Sequence, residues 1–202
     1  MTEKKVVKIR HVKPEIRMLG IDDGAFQPHT KGVVGVIGVV FRGGYWLDGV
    51  MRTEIEIDGM DATEKMTSMI MNSPHYEQLR VVVLNGVTLA GFNVIDLKEL
   101  FDKTGLPVIS VARDKPDFEE IRKALENLAK SGKRWKAIKN AGRPIEVQTR
   151  NAEEPVYAQF IGISERDARR ILKETSTRSN IPEALRVAHI IASGLTRSEE
   201  KI

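Results

Sequence analysis

Gly43-Gly44 stands between two long strand-like runs and limits what this chain can fold into more than any other feature. Two consecutive glycines tolerate the positive φ that a tight hairpin turn demands, so residues 33–41 and 45–57 are predicted to fold back on one another. In the second run Met51, Thr53, Ile55 and Ile57 fall on one face, and Arg52, Glu54 and Glu56 on the other. That period of two is the mark of a half-buried strand. An apolar run at residues 16–21 precedes the pair across the turn-rich segment 24–30. A three-strand antiparallel meander follows from this pattern.

The period then changes. Residues 61–72 place Met66, Met69 and Ile70 at helical spacing. Residues 81–84 form a short, wholly apolar run, as in a strand covered on both faces. A helix is expected at 96–103, ended by Gly105-Leu106-Pro107, and a second buried strand at 108–112. Asp117 opens a helix carrying Phe118, Ile121, Leu125 and Leu128. Beyond Lys130 the pattern gives a basic helix at 133–141 and strands at 145–148 and 156–161. Ser164 and Asp167 then cap a helix, and Pro182 begins a last helix reaching Ser193. A meander followed by strand–helix alternation predicts an α/β protein of ribonuclease-H-like type. Its mixed sheet has strand order 3-2-1-4-5, antiparallel first and parallel afterwards, flanked by helices. No repeat or linker divides residues 1–202, which read as one domain.

Composition removes several chemistries. The chain has no cysteine, which excludes disulfides, zinc fingers, iron–sulfur clusters and thiol catalysis. His11, His29, His75 and His189 lack the spacing of metal ligands. No apolar run approaches a membrane span, and the basic segment 1–13 lacks the apolar core of a signal peptide, so a cytoplasmic protein with no membrane partner is expected. A net charge of +4 is too mild to identify a nucleic-acid binder unaided.

Polar residues at strand ends carry the functional signal. Asp22-Asp23 closes the first apolar run, between Gly20 and Gly24, and Asn85-Gly86 closes the run at 81–84. Acids at strand ends often only face solvent in turns, but clustered carboxylates there can hold Mg²⁺ for phosphodiester chemistry. Gly20-Ile21-Asp22, the meander, Asn85-Gly86 and Pro107-Val108-Ile109-Ser110-Val111-Ala112-Arg113 together resemble endonuclease V. Nearly the whole chain resembles an uncharacterised, mostly archaeal family related to it.

Endonuclease V cuts a phosphodiester near a deaminated adenine, using Mg²⁺ held by acids of the sheet. The resemblance therefore implies Asp22 as catalytic and metal ligand, and Glu64 as the second acid with Asp61 as its rival. Asp23 is at most a supporting metal ligand, because neighbouring strand side chains diverge. Asn85 stands where the family has an acid and is read as a catalytic residue that binds the metal through its neutral oxygen or orients a metal-bound water. Arg113 stands where the family has a phosphate-binding lysine, and residues 57–60 replace its strand-separating wedge. The reading is a metal-dependent enzyme of DNA or RNA. Its rivals are a non-catalytic nucleic-acid or nucleotide binder on the same fold, and a protein-interaction module.

Four further features accompany the site. Residues 85–93, with Gly86 and Gly91, form either a ligand loop at the sheet's carboxyl edge or an ordinary connection. Lys133, Arg134 and Lys136, in a basic run around Trp135, are available to phosphate, or else solvate a helix. Residues 175–180 offer hydroxyls before a helix start, and His189 is read as a hydrogen-bonded core histidine.

Overall fold

A computed structural model describes residues 13–28 and 30–199; the basic start of the chain, His11 and His29 lie outside them. The meander forms as the glycine pair requires. β1 (Arg17–Asp23) pairs antiparallel with β2 (Val33–Arg42), and β2 with β3 (Trp46–Glu56). Gly43 takes the turn at φ +58°. α1 (Ala62–Met71) then crosses one face, and β4 (Val81–Asn85) returns parallel to β1, with Ile21 opposite Leu84.

The connection after β4, read from the sequence as either a ligand loop or an ordinary connection, has regular structure of its own. It contains a two-stranded ribbon, β5 (Thr88–Leu89) against β6 (Asn93–Val94). α2 (Leu97–Thr104) follows, with Asp96 accepting from the Lys98 and Glu99 amides and Gly105 closing it in the left-handed region. β7 (Val108–Ala112) lies parallel to β4. Two helices, α3 (Phe118–Glu126) and α4 (Ser131–Asn140), precede β8 (Ile145–Val147) and β9 (Val156–Ile161). β9 pairs antiparallel with β7, and β8 antiparallel with β9. α5 (Glu165–Thr175) and α6 (Glu183–Glu199) complete the chain. The sheet order is β3-β2-β1-β4-β7-β9-β8. Its first five strands are the expected 3-2-1-4-5 arrangement, with the parallel triplet β1, β4 and β7 in the middle and the last two strands added at one edge.

Helices cover both faces. On one side α5 and α6 pack Ala168, Ile171, Leu172, Leu185 and Ala188 against Met18, Val39, Val83 and Ile109. On the other, α1 and α2 pack Met66, Ile70, Leu97 and Leu100 against Leu19, Ile21, Val82 and Val108. Alternation along β1 thus turns Met18, Gly20 and Asp22 toward α6, and Leu19, Ile21 and Asp23 toward the α1 layer. No described helix is long and apolar enough to cross a membrane.

The α6 contact is unusually close. A Cβ at Gly20 would meet the main chain of Ala184 and, 2.5 Å away, the Leu185 nitrogen; one at Gly24 would meet the Thr196 methyl at 2.6 Å. Because the obstacle at Gly20 is backbone, no rotamer change relieves it. Gly20→Ala should therefore lower unfolding stability by about 3 kcal/mol, the upper part of the usual overpacking range. Urea titration of the two proteins measures this. A loss within experimental error would show that α6 can retreat freely from β1.

Candidate active site

Asp22 lies at the carboxyl end of β1 and is only 1 % exposed. A buried carboxylate requires partners, and three reach it. Asn85, ending the adjacent strand, donates its Nδ2–H to Oδ1 at 3.0 Å. The Asp23 amide donates to the same oxygen at 3.0 Å. His189 of α6 brings Nδ1 to 2.8 Å from Oδ2. Since Asp22 otherwise only accepts, this last bond assigns the proton to Nδ1 and leaves Nε2 as the free nitrogen.

His189 is thus not the core residue expected. Its side chain is 55 % exposed, held at its inner nitrogen and open at the outer one. The signal for this was present in the sequence. Leu185, Ala188, His189, Ala192 and Thr196 recur at helical spacing on one face, and small residues there mark close approach to a strand bearing Gly20 and Gly24.

Around the pair, Asn85, Gly86, Ala112, Arg113, Asp114 and Ile181 complete a cavity of roughly 420 Å³. Arg113 therefore does come to the Asp22 site, and Asp114 joins it unanticipated. The other acids do not. Glu64 is exposed on α1, across the sheet from Asp22, close enough to Lys103 to help raise that lysine's pKa, behind the larger effect of Glu99. Asp61 lies at the start of α1, accepting from Asn93 at 2.6 Å and from the Glu56 amide at 3.2 Å. Strand alternation explains the separation, because α1 packs on the face to which Asp22 does not point.

Asp23 turns to that other face and accepts from the Ala90 amide at 2.6 Å. Burial, with the neighbouring Asp22 charge, pushes its carboxyl up to about 6 even though the Ala90 bond pulls the other way. It therefore does not support a metal beside Asp22, as the sequence suggested, and anchors the ribbon after β4 instead. Phe92 there donates its amide to Asp58 at 2.8 Å.

Arg134 completes the anchoring and is not a phosphate ligand. It is 3 % exposed and donates to the carbonyls of Ala129, Asp58, Gly59 and Phe92. Burial lowers its pKa, partly offset by Asp58. Lys133 and Lys136 do face solvent. The hydroxyls of Thr175, Ser176 and Thr177 are bound to carbonyls of Ile171, Leu172 and Gly44 and offer no anion site.

Mg²⁺ would need several oxygens carrying negative charge. Both Asp22 oxygens already accept hydrogen bonds, Asn85 presents its amide N–H rather than its oxygen, and Glu64 is remote. Among the described residues no group of three or more His, Cys, Asp or Glu is placed to hold a metal ion. The donor set as arranged does not fit the ion.

A second, more apolar cavity of roughly 240 Å³ adjoins the first through Gly86, Ala112 and Asp114. Val87, Phe92, Phe118 and Ile138 supply its apolar walls, and Thr88, Ser110, Tyr157 and Gln159 its polar points.

The fold agrees with comparisons to known proteins. The family model described as Endonuclease dU matches residues 14–196. A UPF0215 protein of Methanosarcina mazei is 52 % identical over 191 residues, covering 95 % of this chain and 96 % of the relative. The crystal structure of a protein of unknown function from Archaeoglobus fulgidus superposes with TM-score 0.79 at 37 % identity, covering 89 % of this chain and 98 % of that one. The catalytic domain of human endonuclease V superposes with TM-score 0.64 at 12 % identity, covering 98 % and 90 %, which shows the ribonuclease-H-like fold. This chain has the fold of endonuclease V and archaeal UPF0215 proteins among its relatives, and by sequence over nearly its whole length it belongs to the Endonuclease dU family.

Proposed function

We propose that the protein cleaves a phosphodiester in nucleic acid next to a deaminated nucleotide, with deoxyuridine, the nucleotide in its family's description, as the one recognised. The observation that carries this reading is the Asp22–His189 pair, a buried carboxylate orienting a half-exposed imidazole in a cavity shared with Arg113. Asp22 holds the Nδ1–H tautomer, so Nε2 can take a proton from attacking water, while the leaving oxygen, in line on the far side of phosphorus, takes its proton from bulk water. Arg113 neutralises charge on the phosphate. The adjoining apolar cavity receives the base, and its few polar groups read the base edge. The Mg²⁺ of the sequence expectation is not used in any of these steps, because the donors are not arranged for it.

Asn85 favours one other reading, a nucleic-acid binder without catalysis, since a neutral amide fills the position of an acid and satisfies Asp22. The two separate in one assay. With a labelled deoxyuridine-containing strand, His189→Ala should lower cleavage at least about a hundredfold while leaving strand affinity nearly unchanged. Asp22→Asn should also lower cleavage, by releasing the tautomer. Cleavage by the parent that survives His189→Ala would overturn the mechanism. Strand binding by a parent that never cleaves would establish the binder.

Asp23 gives an independent check on the geometry beside the site. Its folded pKa, about 6, lies above its ordinary value of 3.8, so the folded state holds this proton more tightly. Its contribution to stability is full below about pH 4 and is lost as pH rises through about 6. Asp23→Asn keeps an acceptor for Ala90 without the charge, so the variant should gain stability relative to the parent across that window. Paired urea titrations between about pH 4 and 7 measure it, and a constant difference would mean Asp23 is not raised.

A further inference from the structure

The cleavage reading leaves a larger cavity unused. It measures roughly 900 Å³ and opens from the Asp22 site, sharing Arg113, Asp114 and Ile181 with it. Three connections wall it: the turn after β7, with Arg113 and Lys115; the segment between β8 and β9, with Arg150 and Glu154; and the segment between α5 and α6, with Arg178 and Asn180. Four cations thus face two carboxylates, Asp114 and Glu154, and Glu154 already accepts from Asn180 at 3.1 Å.

The walls are held in place before any ligand arrives. Thr149 donates to the Asn180 carbonyl at 2.7 Å, the Asn151 amide donates to the Asn180 side chain at 2.9 Å, and Arg150 donates to the Thr177 carbonyl. Arg178 is steadied by Glu183 at 3.0 Å. Tyr157, half-buried, lines both this cleft and the apolar cavity. A cationic groove with an aromatic surface fits an unpaired strand, whose phosphates take the charges and whose bases can stack.

Resting on the cleavage reading, we propose that this cleft seats the phosphates of the single strand continuing from the reacting phosphodiester, on one side of it only. Because the cleft meets the active site at Arg113, a strand leaving the site by that route passes Lys115, Arg150 and Arg178. The enzyme would then need flanking nucleotides on that side and be indifferent to the other.

The test uses three labelled deoxyuridine oligonucleotides, extended on both sides, only 5′, or only 3′ of the deoxyuridine, titrated with the full chain over a salt series. Removing one flank should flatten the parent's salt dependence, and removing the other should not. Lys115→Ala/Arg150→Ala should lower the log–log slope by about 1.4 on strands that keep the effective flank, from about 0.7 per phosphate on single strands. The fall in affinity between about 50 and about 200 mM salt then shrinks about sevenfold. Strands lacking that flank should show no difference. Arg150→Ala alone should give about half the slope change, which separates the cleft from Lys115's place beside the apolar cavity. Arg150→Lys should keep the parental slope and guards against misfolding. Equal slopes for parent and double variant on every strand, with cleavage intact, would overturn the cleft and spare the cleavage reading. Polyglutamate displacing the strand as well as a competing oligonucleotide does would overturn it too, as a site for any polyanion. A parent that neither binds nor cleaves any strand removes both proposals.

Discussion

The close approach of α6 to β1 is the interaction on which the site depends. Gly20 and Gly24 leave no side chain between strand and helix, and Ala184, Leu185, Ala192 and Thr196 fill the space along the same line. Gly20 meets residues 184–185, Asp22 meets His189, and Gly24 meets residues 192 and 196, so helix and strand run side by side in one direction. A helix held a few ångströms further out would leave the Asp22 carboxylate short of a partner in a dry position, at a cost of about 1–3 kcal/mol or more for a charged group. Core packing and the carboxylate–imidazole pair are therefore one arrangement, not two.

A second arrangement fixes the far wall. The ribbon after β4 is tied to Asp23 through Ala90, to Asp58 through Phe92, and to α4 through Arg134. Asp58 and Ala90 take positive φ, +51° and +44°, which side chains rarely adopt without compensation. The compensation is visible: the Asp58 amide donates to the Ala90 carbonyl at 2.9 Å, and Arg134 gathers the carbonyls of Asp58, Gly59 and Phe92. A guanidinium can do this because its N–H groups fan out in one plane, which a lysine cannot imitate. Basic residues on a helix are normally assigned to solvent or phosphate, and here one of them organises the chain instead.

Much of the architecture was legible because it rests on periods and turns. Gly43-Gly44 required the hairpin, and the switch from alternation to helical spacing after Ile57 placed the parallel strands, so the order around β1 followed. Asp22 and Asn85 were legible as neighbours for the same reason. The partner acid was not. Sequence spacing does not say which face of the sheet α1 covers, and that choice puts Glu64 across the sheet from Asp22. His189 was misread because an apolar neighbourhood in sequence does not distinguish a residue inside the core from one at its rim. Arg134 shows the converse, a charge buried by tertiary carbonyls that no local pattern announces.

Asn85 shows how the edge of the sheet is balanced. An acid at its position would stand about 3 Å from Asp22, and two carboxylates that close cannot both be charged without a cation between them. The amide removes the repulsion and spends one N–H on the remaining carboxylate, which frees the other Asp22 oxygen for His189. The three cavities then meet at Asp114, just beyond the carboxyl end of β7. The rigid strand ends position the carboxylate–imidazole pair, the tied ribbon shapes the apolar wall, and the laced loops beyond Arg113 carry the positive charge. Those are separate elements, so changes in the loops can alter what is bound without disturbing the carboxylate and imidazole at the strand ends.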